Sequence, residues 1–125
     1  MTGRQYLLDT HILIWALDQT DKIPLRYRPL LAQEEMCAVS IISIWEIAIK
    51  KGLGKLQIRD GVADFVRRTG VEILPVTISH IDVYETLPHH HRDPFDRMLI
   101  AQAMSENLQI MTVDRNFPLY DITVT

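Results

Sequence analysis

Four acidic residues come from four separate segments of this 125-residue chain: Asp9, Glu46, Asp96 and Asp114. Asp9 closes the apolar run Tyr6-Leu7-Leu8, and Asp114 closes the run from Leu108 to Val113. Asp96 lies in the first turn of the segment that opens at Pro94. Glu46 lies inside IISIWEIAIK, where nearly every neighbour is apolar. Three or four carboxylates gathered at one place repel each other unless a divalent cation is present. Hard oxygen donors with open water positions suit Mg²⁺ or Mn²⁺.

Each acid also has a plainer use. Asp9 can cap a following helix. Asp93 and Asp96 flank Pro94 as cap and third helical position. Asp114 precedes Arg115 and Asn116 and can cap a turn. Glu46 can form an exposed ion pair with Lys50, four residues on, worth ~0.3–0.5 kcal/mol. Ser43 shares that face, so Ser43, Glu46 and Lys50 make a polar strip on an otherwise apolar helix. A strip of that kind fits a solvated face or the wall of a site, and both readings stay open.

The elements that must position these groups follow from the order of the runs. Tyr6–Leu8 reads as a buried strand and Thr10–Leu17 as a helix. Asp18–Lys22 is a polar break, and Pro24 can open a second helix at its first position. Met36–Val39 reads as a second strand. Ser40 caps a helix over Ile41–Lys51, stopped by Gly52 or Gly54. Asp60–Thr69 reads as a helix capped by Asp60 and followed by Gly70. Val71–Val76 is a third strand, Ser79–Leu87 a short helix and Pro94–Asn107 a long one. Leu108–Val113 is a fourth strand, and Ile122–Val124 a short fifth. Strands alternate with helices throughout, so the expected fold is a single three-layer α/β/α domain over residues 1–125. Its sheet is mostly parallel, with four to five strands. Such sheets bind ligands beyond the carboxyl ends of their strands, where Asp9 and Asp114 would stand.

Composition narrows the function. Apolar residues are 47% and charged residues 23%, a globular balance and not a disordered one. The 16 acids and 13 bases leave a net charge of −3, which excludes a protein coating nucleic acid with a broad basic face. The single cysteine, Cys37, cannot form an internal disulfide, and a reducing cytoplasm is expected. The opening MTGRQYLLDTH does not read as a signal peptide, and no run approaches the ~20 apolar residues of a membrane span. Cys37 sits in an apolar run and reads as a buried structural thiol.

The words around the acids are more specific than the acids. LLDTH, SIWEIAIKKGLGKL, LPHHHRDPFDRMLIAQA and MTVDRNF occur in that order. With these the chain resembles the PIN-domain family, and most closely the VapC-like toxins of bacterial toxin–antitoxin pairs, from Tyr6 to about Tyr120. The resemblance implies a metal-dependent endoribonuclease with an acidic site holding Mg²⁺ or Mn²⁺. Asp9 resembles the family's first acid, Glu46 the acid after the second strand, Asp96 the third and Asp114 the fourth. Thr10 and Thr112 match flanking hydroxyl residues, and Asp93 caps the helix or assists the metal through water. His11 departs from the asparagine of many relatives. The resemblance also implies a cognate antitoxin, an RNA substrate and a homodimer.

A carboxylate-held cation lowers the pKa of a bound water and stabilises charge on a scissile phosphate. The expected reaction leaves 5′-phosphate and 3′-hydroxyl ends. Lys50, Arg92, Arg97 and Arg115 lie near the acids and are candidate phosphate contacts. His89, His90 and His91 lack the spacing of a helical metal pair and are read as loop or RNA contacts. Trp45 is read as core. Two rivals remain. A non-catalytic PIN-like interaction module would not need all four acids. A haloacid-type phosphatase wants Asp-x-Asp where this chain has Asp9-Thr10-His11, and no Gly-rich phosphate loop is present.

Overall fold

A computed structural model describes residues 3–58 and 61–125. Asp60, expected as a helix cap, lies outside the described residues.

Four short strands form the sheet: β1 Tyr6–Leu8, β2 Cys37–Ser40, β3 Glu72–Leu74 and β4 Gln109–Met111. Their spatial order is β3-β2-β1-β4, and every pairing is parallel. The expected fifth strand is reduced to one parallel bridge, Ile110 with Val124.

The helices are α1 Thr10–Asp18, α2 Arg28–Leu31, α3 Ile41–Gly52, α4 Val62–Arg68, α5 Ile78–Thr86 and α6 Pro94–Glu106. The second helix is shorter and later than the sequence suggested. Pro24 precedes a 3₁₀ turn at Leu25–Tyr27, and Pro29 takes the first-turn position instead. The third helix stops by chemistry foreseen at Gly54, which adopts φ 72°. Gly54 N donates to Lys51 O and Lys55 N to Lys50 O, the paired bonds of a Schellman stop.

Two apolar layers sandwich the sheet, because alternate strand residues face opposite sides. Leu7, Ala38 and Ile110 are neighbours across the sheet and pack with Leu87, Leu99 and Ile100. Leu8, Val39 and Met111 face the other way, onto Ile12, Leu13, Val62 and Val66. Helices α5 and α6 thus cover one face, and α1 and α4 the other. Cys37 is fully buried, and burial pushes its thiol up to about 11.

The strand order reverses at β1. The chain steps from β1 to β2 and then β3 on one side, and returns for β4 on the other. Parallel sheets bind ligands beyond the carboxyl ends where such a reversal occurs, here beside the segments that leave β1 and β4.

Candidate active site

Asp9 is the first residue after β1 and the N-cap of α1. The expected cap is present, and the second carboxylate oxygen has its own partner. Oδ1 accepts from His11 N at 3.0 Å, and Oδ2 accepts from Thr112 Oγ1 at 2.5 Å. The residue is buried, and burial pushes its carboxyl upward against the opposing pull of those two bonds. Thr112 also ties the neighbouring strand end together, since its Oγ1 accepts from Asp114 N at 3.0 Å. Tyr27, fully buried, holds Thr112 from behind: its hydroxyl accepts from Thr112 N at 3.1 Å and lies 2.8 Å from Thr112 O.

The polar strip on α3 turns inward. Ser43 and Glu46 are buried, whereas Ile41 and Trp45 are exposed. Trp45 is 57% exposed and meets Phe95 edge-on at 5.3 Å, which corrects its expected place in the core. Ser43 Oγ lies 2.9 Å from Thr10 Oγ1, linking α3 to the start of α1. Lys50 Nζ lies 2.8 Å from Glu46 Oε2. The i, i+4 pair therefore exists, but its carboxylate is not on a solvated face. Glu46 Oε1 is buried without a hydrogen-bond partner among the described residues.

Asp93 caps α6, with Oδ1 accepting from Phe95 N at 2.8 Å and Asp96 N at 3.4 Å. Asp96 follows in the first turn of α6, with its Oδ2 against His91 Nε2. Its carboxyl is pushed up to about 7, first by burial and then by the charges of Asp9 and Asp93, with Glu46 adding to them. The charge of Asp114 likewise raises Asp9. The charges of Asp9 and Glu46 thus reach Asp96, and that of Asp114 reaches Asp9.

His91, which the sequence left among three loop histidines, stands in this cluster. Its Nε2 is 3.1 Å from Asp96 Oδ2 and 2.9 Å from Asp114 Oδ2. One ligand atom from each of these three residues falls within 4.8 Å of the others. His89 and His90 are exposed, and His90 meets Tyr120 edge-on. No spacing rule could have separated His91 from its neighbours. The signal is the loop's anchoring, which only the fold supplies.

The four candidate phosphate contacts divide. Arg92 and Arg115 are exposed, and Lys50 is half-buried at its acid partner. Arg97 is buried, with its guanidinium turned onto backbone carbonyls and Tyr120. It donates to Pro88 O at 2.9 Å and to Tyr120 Oη at 3.3 Å, and lies over the Tyr84 ring at 5.1 Å. Its expected phosphate contact is thus corrected to an anchor of the loop carrying His91. His11 is exposed, with Nδ1 3.9 Å from Asp9 Oδ1.

The donor set fits a hard divalent cation. Asp96 and Asp114 each offer a carboxylate oxygen within ligand distance of the other, and Glu46 has a buried carboxylate oxygen with no partner among the described residues.

The sequence matches the family described as PIN domain over residues 6–122. The chain belongs to the PIN domain family. Solved structures of the same fold include DNA-bound VapBC from Salmonella typhimurium, with a TM-score of 0.76 and 20% identity over 98% of this chain and 97% of that one. VapBC2 from Rickettsia felis, bound to a DNA fragment from its promoter, gives 0.73 and 18% over 96% of each chain. FitAcB from Neisseria gonorrhoeae gives 0.69 and 19%, again over 96% of each. No curated protein matches it in sequence. In this PIN domain Asp9 and Asp114 follow β1 and β4, the neighbouring strands at which the order reverses. No helix among the described residues is long and apolar enough to cross a membrane.

Proposed function

We propose that this PIN domain is a metal-dependent endoribonuclease and the toxin of a toxin–antitoxin pair. The observation that carries the reading is that Asp96 and Asp114 stand within ligand distance of one another, with Asp9 and Glu46 near enough for their charges to raise Asp96 and with a buried carboxylate oxygen of Glu46 left without a partner among the described residues. A solvated ion-pair network would not bury that oxygen, and a purely structural cluster would not hold four acids against their mutual repulsion.

Asp9, Glu46, Asp96 and Asp114 would hold Mg²⁺ or Mn²⁺. When bound, the cation supplies charge against the scissile phosphate and acidifies a water for attack. The chain's own residues do the rest. Thr112 and the His11 amide orient Asp9. Ser43 and Thr10 brace α3 against α1, which fixes Glu46 relative to Asp9. Asp93 holds the first turn of α6 and so aims Asp96. Arg92 and Arg115, exposed near Asp93 and Asp114, suit the RNA backbone, which they would position without reading sequence.

The likeness in fold to chains from VapBC and FitAcB assemblies supports a cognate antitoxin as partner. A homodimer working in the cytoplasm completes the reading.

The test is purified protein with RNA, with and without Mg²⁺ or Mn²⁺, comparing wild type with Asp9→Asn and Asp96→Asn. Cation-dependent cleavage lost in both variants is expected. Cleavage that persists in both, or in EDTA, would overturn the mechanism. Absence of cleavage by wild type would favour the non-catalytic interaction module. Growth arrest on expression, relieved by a co-expressed antitoxin, tests the toxin role separately.

A further inference from the structure

His91 is held from every side. Its backbone N donates to Tyr120 Oη at 2.8 Å, its ring stands edge-on to Phe117 at 5.9 Å, and its Nδ1 accepts from Asp93 N at 3.1 Å. An amide N–H can donate only to a ring nitrogen that carries no proton. The proton of the imidazole therefore sits on Nε2, and Nε2 is a donor. That donor faces two carboxylate oxygens, Asp96 Oδ2 at 3.1 Å and Asp114 Oδ2 at 2.9 Å. A nitrogen that bears a proton has no lone pair for a metal, so the triad of His91, Asp96 and Asp114 is not a ready ligand set in this arrangement. It is two acids bridged by an N–H.

We infer that His91 is an internal placeholder for the cation: its Nε2–H bridges Asp96 and Asp114 in the cation-free chain, and the ring leaves when the cation enters. The inference rests on the reading of these acids as cation ligands and adds to it a positioning residue that competes for them. The bridge has a physical purpose. Two carboxylates this close repel, and burial strengthens the repulsion. An N–H between them keeps both aimed at one point until the cation arrives. A cation held by both Oδ2 atoms would bring its charge up against the positive end of the Nε2–H, so cation and bridge disfavour each other. With the cation held by Asp96 and Asp114, the Nε2–H bridge of His91 would open.

The sign of one measurement separates this role from the alternatives. Removing a ligand weakens metal binding, and loosening a structural loop weakens it or leaves it unchanged. Removing a competitor strengthens it. Mn²⁺ binding is measured by titration calorimetry on wild type and on His91→Ala. The variant is expected to bind Mn²⁺ about tenfold more tightly, the loss of one charge-assisted hydrogen bond from the free state. Affinity that falls or stays level in His91→Ala overturns the placeholder while leaving the metal reading intact. Wild type that takes up no Mn²⁺ overturns both. Nitrogen NMR of the wild-type imidazole gives a second readout that needs no variant. Without metal, Nε2 is expected to be the protonated nitrogen and Nδ1 the bare one, and Mg²⁺ is expected to abolish the bridged Nε2–H signal. A proton found on Nδ1 in the metal-free protein, or a bridged signal that persists under saturating Mg²⁺, overturns the inference.

Discussion

Lys50 Nζ lies 2.8 Å from Glu46 Oε2, one turn along α3, while the other oxygen of the same buried carboxylate has no partner. The two oxygens of Glu46 are thus unequally served. The hydrogen bond to Glu46, set against burial, raises the Lys50 ammonium's pKa, so the ammonium stays charged well above neutral pH. Replacing Lys50 with Met strands a buried carboxylate altogether. A loss of about 1–3 kcal/mol in cation-free stability is expected, with much of it recovered in Mg²⁺. Chemical denaturation with and without Mg²⁺ checks both parts. A variant as stable as wild type without metal would show that the pair does not matter.

Thr112 donates to Asp9 across the strand reversal, and its backbone is held in turn by Tyr27. Groups that orient a metal ligand are worth about 10–100-fold in metal affinity. Thr112→Val keeps the shape and removes the hydroxyl, so Mn²⁺ affinity is expected to fall by about that factor. Thr112→Ser restores the donor and should restore most of the affinity. If Val and Ser behave alike in calorimetry, the hydroxyl is not what positions Asp9.

The carboxyl of Asp96 sits at about 7 in the folded chain, against an ordinary value of 3.8, chiefly because it is buried. Between those two pH values the folded chain holds a proton that the unfolded chain has released. This group's stabilising contribution is therefore full below about pH 4 and lost as pH rises through 7. Asp96→Asn cannot ionise, so it should gain on wild type as pH rises. The cation-free variant is expected to be more stable at pH 8, by on the order of 3 kcal/mol, with a smaller gain at pH 5. Mg²⁺ should stabilise wild type and not the variant. Equal gains at pH 5 and pH 8 in thermal unfolding would show that Asp96 ionises normally.

The order of strands and helices was legible because each strand is a short apolar run ending at a polar residue, as Leu8 ends at Asp9. Asp9 and Asp114 were legible as positions because they follow such runs, whereas Glu46 and Asp96 lie within helices. What α3 buries was not legible. Its apolar residues lie on both sides of Ser43 and Glu46, so periodicity alone could not say which strip faces inward, and Trp45 was misplaced. Arg97 and Arg92 look alike in sequence, yet one is buried under a loop and the other is exposed. His91 gains its place from bonds to Tyr120 and Asp93, and Tyr120 lies 29 residues away from it.

The loop from Pro88 to Asp93 depends on Arg97 more than on its own residues. The guanidinium donates to Pro88 O and Tyr120 Oη, and Tyr120 Oη in turn accepts from His90 N and His91 N. Arg97→Met removes a buried, multiply bonded cation and should cost about 3 kcal/mol or more. Lysine should not rescue it, because one ammonium cannot serve acceptors spread along a fork. Hydrogen exchange should show lost protection at His90 and His91, while the amides of β1 and β4 change little in folded protein. RNA binding separates this residue from its exposed neighbours. Arg92→Ala and Arg115→Ala should each reduce the salt dependence of RNA binding by about one released counterion. Arg97→Met should leave that slope unchanged, since its charge never reaches a phosphate. A lower slope in Arg97→Met, with loop protection intact, would return Arg97 to the RNA-binding surface.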